Sequence, residues 1–160
     1  MRAKKWLGVF LSAAIVTQAG YLAYASVQRH YGHDFTCVAN FSQHFSGETY
    51  SVLINYVLRG ENGVINMTGR SEENPGMTFN RKIAFTLQRK GDLYYMVSEK
   101  NIKLPDDNFS DEALSKHEPQ FFVYPGKEIY MRIMKQQNGN FLFMVESIPT
   151  YVCKNVTNKI

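Results

Sequence analysis

The chain has 160 residues, 44% hydrophobic and 14% aromatic with 20% charged, proportions that exclude a disordered tail or a low-complexity stalk. The formal net charge is +4, but Arg2, Lys4 and Lys5 account for most of it, and the rest of the chain holds fifteen basic against fourteen acidic residues. That near-neutral remainder, with no basic run and no interleaving of basic and aromatic residues, argues against nucleic-acid binding.

The first element is the uncharged run Trp6–Gln28, preceded by the basic cluster. Positive charge before an apolar segment predicts a cytoplasmic N-terminus and export of the remaining chain. Two readings of the run compete. As a signal peptide it offers the apolar stretch Trp6–Val16 and the small-x-small site Ala23-Tyr24-Ala25, with cleavage after Ala25. As a retained anchor its twenty-three residues suffice to span a bilayer, and Trp6, Tyr21 and Tyr24 suit the two interfaces. Length favours the anchor. The expected organisation is a cytoplasmic start at 1–5, a transmembrane segment at 6–28, a linker at 29–34 and one exported β-domain at 35–160.

From Phe35 the dominant period is two, broken by turn signals about every ten residues. Phe35, Cys37, Ala39 and Phe41 alternate with polar neighbours as a first strand; Tyr50, Val52, Ile54, Tyr56 and Leu58 make one face of a second. Gly60-Glu61-Asn62-Gly63 turns the chain into Val64–Arg70, and Asn74-Pro75-Gly76 into a fourth strand carrying Phe79, Ile83, Phe85 and Leu87, whose apolar face Arg81 interrupts. Lys90-Gly91-Asp92 leads to Leu93–Ile102. After a long polar and acidic stretch, in which Ser110 is a candidate cap for a short helix, a last hairpin joins Glu128–Gln137 to Phe141–Ile148 through Asn138-Gly139. The expected fold is mainly β: an antiparallel, barrel-like meander of about seven strands behind the N-terminal helix.

No nucleophile elbow, zinc helix or phosphate loop is present, so neither catalytic nor metal-ligating residues nor a cofactor are expected. Asp106-Asp107 and Glu72-Glu73 read as solvated turn residues. Cys37 and Cys153 lie near the two ends of the exported part, and in an oxidising compartment such a pair is most simply one disulfide clamping the termini of the sheet. The remaining candidates for binding are aromatic. Tyr50, Tyr56, Phe79, Phe85, Tyr95, Met131, Phe141 and Phe143 fall on the apolar phase of their strands, while Tyr94, Met96, Tyr130, Met134, Leu142 and Met144 fall on the other. Strands apolar on both faces need cover on both: a partner chain, a lipophilic ligand, or the long loop.

The basic start, single apolar span, exported β-domain and terminal cysteines, together with the wording Tyr151-Val152-Cys153-Lys154-Asn155, resemble the FidL-like and ToxS-like proteins of enteric and marine bacteria. The resemblance covers the whole chain. It implies an inner-membrane protein with a periplasmic, lipocalin-like domain that pairs with a ToxR-type membrane-bound winged-helix regulator and takes a bile-salt-like small molecule. It implies no enzyme. The competing expectation is a cleaved, soluble periplasmic binder of a small lipophile.

Overall fold

The computed structural model describes residues 13–24, 34–45 and 47–157, and the chain divides between residues 33 and 34. In the first unit, residues 13–24 form a helix, α1, without a charged residue and with Ile15, Val16, Tyr21, Leu22 and Tyr24 exposed. Among the described residues no helix is long and apolar enough to cross a membrane. The rest of the expected 6–28 span, at 6–12 and 25–28, lies outside the described residues.

The second unit is a closed antiparallel barrel of eight strands in sequential order. These are β1 (Phe35–Phe45), β2 (Glu48–Arg59), β3 (Asn62–Ser71), β4 (Thr78–Lys90), β5 (Leu93–Lys103), β6 (Glu128–Lys135), β7 (Phe141–Val145) and β8 (Ile148–Asn155). Alternation drives the closure. Val52, Ile54, Tyr56 and Leu58 of β2, or Ile83, Phe85 and Leu87 of β4, point to one side and are buried, while their neighbours stay more exposed. A sheet apolar on one face buries it by curling on itself.

The strand count therefore corrects the expected seven to eight. The missing strand is β8, whose connection to β7 is only Glu146-Ser147, with Glu146 at φ 56°. No glycine or asparagine marks that turn, and Pro149 lowers the strand signal. The β6–β7 connection departs from expectation in the other direction. It is a wider loop, 136–140, in which Gly139 at φ 83° donates its N–H to the Gln136 carbonyl at 2.9 Å.

Room inside the barrel comes partly from β3. Gly63 faces Phe85 and Gly69 faces Phe79 in the β3–β4 register, and a Cβ at either glycine would run into the opposing ring. Both rings are buried where the glycines let them lie against the backbone.

Candidate functional site

Two features stand out: the seam where the last strand meets the first, and the segment between β5 and β6 that covers one end of the interior. At the seam β1 pairs with β2 along its whole length, Phe35↔Leu58 to Phe45↔Glu48, but with β8 only at Cys37↔Asn155 and Val38↔Lys154. Val156 N–H adds a bond to the Thr36 carbonyl at 2.8 Å, and Thr36 N–H donates to Thr157 Oγ1 at 3.0 Å. From Asn40 onward β1 has a registered ladder on its β2 side alone.

Side chains hold the seam instead. Cys37 and Cys153 form a disulfide, as expected, with Cα atoms 5.4 Å apart and both residues fully buried. The Phe35 ring stacks on Phe141 at 4.1 Å, and Phe41 on Tyr151 at 4.8 Å. Inside, the Tyr56 and Tyr151 hydroxyls meet at 2.6 Å, with the Phe143 ring 4.7 Å from Tyr56 and 5.1 Å from Tyr151. Burial pushes both phenols well above their ordinary range.

The covering segment contains helices α2 (Asp111–Leu114) and α3 (Gln120–Val123). The side chain of Ser110 does cap α2, accepting the Ala113 N–H at 3.1 Å. Phe109, Leu114, Phe121, Phe122 and Val123 are buried among barrel residues, and the Phe109 ring meets Tyr50 and Phe79 edge-on. Its main tether is ionic. The Arg81 guanidinium, 2% exposed, donates to the fully buried carboxylate of Asp107, to Asp111 at 2.6 Å and to the Phe109 carbonyl at 3.2 Å. Asp107 thus corrects the solvated-turn reading. An arginine interrupting the apolar face of β4 was the available signal, since a buried cation requires a buried partner. Glu73 keeps a local role, taking the Thr49 N–H, which lowers its pKa.

Glu118 closes the segment on the seam side. The Gln43 side chain of β1 donates to the carbonyl of the preceding His117 at 3.4 Å, and the charge of Glu118 is felt by Tyr56 and Tyr151. Withdrawal from water pushes its carboxyl up to about 7. Sequence reasoning did not single out Glu118, because an isolated glutamate before a proline carries no burial signal.

Of the aromatic candidates, Tyr50, Tyr56, Phe79, Phe85, Met131, Phe141 and Phe143 all face the interior and are buried together. Tyr95 does not join them. It lies half-buried on the outer wall with its ring 4.8 Å from Tyr130, while Tyr94 and Met96 point inward and are buried. β5 is apolar on both phases, so its own pattern is ambiguous. Pairing decides it, because Met96 lies opposite Leu87 of β4 and Tyr94 opposite Met131 of β6. Partners in register share a face. Tyr130, Met134, Leu142 and Met144 lie on the outer wall, Tyr130 being 57% exposed.

No group of histidine, cysteine, aspartate or glutamate among the described residues is arranged to hold a metal ion. His44 bonds to Thr49 Oγ1 at 3.1 Å, and the His117 ring lies against Tyr50 at 5.3 Å. His30 and His33 lie outside the described residues.

Residues 35–153 match the family model described as the YqeJ C-terminal domain. No curated protein matches the chain.

Proposed function

The chain belongs to the YqeJ C-terminal domain family, and from that premise we propose that it is a single-pass inner-membrane accessory protein. Its periplasmic barrel pairs with a ToxR-type membrane-bound winged-helix regulator and stabilises or tunes it. The proposal assigns the chain no catalytic step. The observation that carries it is the β1–β8 seam. A closed barrel offers a partner no open edge along most of its wall. β7 is paired on both sides. The seam is the exception, for its backbone ladder stops at Val38 and side chains continue it. A strand of the regulator's exported domain can add where backbone donors and acceptors lack ladder partners.

A lipophilic ligand has weaker support. The seven interior residues that could have lined a ligand chamber pack against one another and against the covering segment.

Co-expression with the exported domain of the regulator tests the reading. The two should co-purify, and the pair should melt at a higher temperature than the accessory protein alone, since a partner that binds only the native state stabilises it. Asn40→Lys and Val152→Lys, both at exposed positions on the two seam strands, should weaken pairing and leave the unpartnered melt unchanged. A protein that is monodisperse and indifferent to the regulator would overturn the partner reading. Retention with inner membranes in high salt tests the anchor separately; recovery in the soluble periplasmic fraction would favour the cleaved binder.

A further inference from the structure

The balance of charge differs between the two ends of the barrel. The end at which Asp34 leads into β1 exposes Arg59, Arg89, Lys90, Arg132, Lys135 and Lys154 at the mouths of its strands and hairpins. The carboxylates at that end are Asp34, Glu61 and Asp92. Two of these are engaged locally: Asp34 Oδ1 accepts the Gly60 N–H at 2.8 Å, and Asp92 lies 3.4 Å from Arg132 Nε. The opposite end exposes Glu48, Glu72, Glu73, Asp106, Asp111, Glu112, Glu128 and Glu146 against Arg70, Lys103, Lys116 and Lys127, so acids outnumber bases there.

Beside the basic end an outward apolar row crosses three strands. Met134 of β6 pairs with Leu142 of β7, and Leu142 pairs with Val152 of β8. Met134 is 38% and Val152 48% exposed. Arg132 precedes the row by two residues on β6 and Lys154 follows it by two on β8, which in extended strands puts them on the same face. Long basic side chains flanking modest apolar side chains suit the boundary between lipid headgroups and acyl chains, and clustered lysine and arginine are drawn to anionic lipid.

We propose that this basic end of the barrel, with the Met134–Leu142–Val152 row, rests on an anionic phospholipid surface. Charge complementarity selects that occupant over a second copy, which would set six cations against six. The inference does not depend on the regulator.

The test uses the full chain reconstituted into vesicles of phosphatidylcholine alone or of phosphatidylcholine mixed with phosphatidylglycerol, read by amide hydrogen exchange. Attachment to either vesicle reports on the N-terminal segment; the difference between them reports on the barrel. Exchange in the 136–140 loop and in β8 should slow several-fold with phosphatidylglycerol, and the effect should fade as salt is raised. Lys135→Glu combined with Lys154→Glu should abolish it without changing the thermal melt. Two results would overturn the proposal. One is exchange that is equal in the two lipids. The other is protection that survives the charge reversal or tracks protein concentration rather than lipid, which assigns the surface to a second copy.

Discussion

The hydroxyls of Tyr56 and Tyr151 lie 2.6 Å apart inside the barrel, although β1 stands between their strands in the wall. That bond ties β2, at the level of the laddered Cys37, to a residue of β8 beyond the point where the β1–β8 ladder has ended. Tyr151→Phe leaves the Tyr56 hydroxyl buried without its partner, a loss of about 1–3 kcal/mol. Replacing both tyrosines with phenylalanine should cost less than the two single changes added together, because the second removes the orphaned group. Denaturant midpoints of the four variants check this.

The disulfide links positions 116 residues apart. In the chain-entropy account a loop of that length contributes about 4–5 kcal/mol. Cys37→Ser, Cys153→Ser and the double variant should therefore lose similar stability, since each removes the same bond. Urea unfolding of the three, with thiol alkylation of the unreduced wild type as control, gives the comparison. A wild type that labels quantitatively without reduction would contradict the structure.

The Arg81–Asp107 pair holds the covering segment against β4 from inside. Asp107→Ala removes the one fully buried carboxylate from a guanidinium that is 2% exposed, leaving it Asp111 and the Phe109 carbonyl, and should destabilise the protein by up to roughly 3–5 kcal/mol. Arg81→Met with Asp107→Asn should recover part of that loss, because it removes the buried charges and keeps an acceptor for the Asn80 and Phe109 N–H groups. Thermal melts distinguish the two cases, and hydrogen exchange in 104–126 should rise in the single variant.

Glu118 sets a pH dependence of definite sign. Its carboxyl ionises near its ordinary 4.5 in the unfolded chain and at about 7 in the folded one. The folded state therefore binds the proton more tightly, and its contribution is full below 4.5 and lost as pH rises to 7. The loss is on the order of 1–3 kcal/mol. Glu118→Gln should flatten that decline relative to wild type, a difference in which other titrating groups cancel. Stability profiles of the two proteins running parallel between these pH values would contradict the assignment.

How much of the barrel was legible depended on whether a strand was apolar on one face. β2 and β4 alternate cleanly, and Tyr56, Phe79 and Phe85 lie where their period put them. β5 is apolar on both phases, and Tyr95 and Tyr94 could be told apart only through the strands beside them. β8 was hidden by a two-residue turn without glycine and by Pro149. Arg81 was visible as an anomaly, but its partner Asp107 lies 26 residues away, and only folding brings the two together.

By itself the sequence determined a mainly β-domain of antiparallel strands, with Cys37 and Cys153 suited to a clamp at its ends. Composition, alternation and turn chemistry suffice for this, because they act between near neighbours. The tertiary structure decided that the sheet closes, that its ladder stops at Val38, and that Glu118 packs against that seam. Those outcomes depend on register and on contacts between residues far apart in the chain, where no local pattern carries the information.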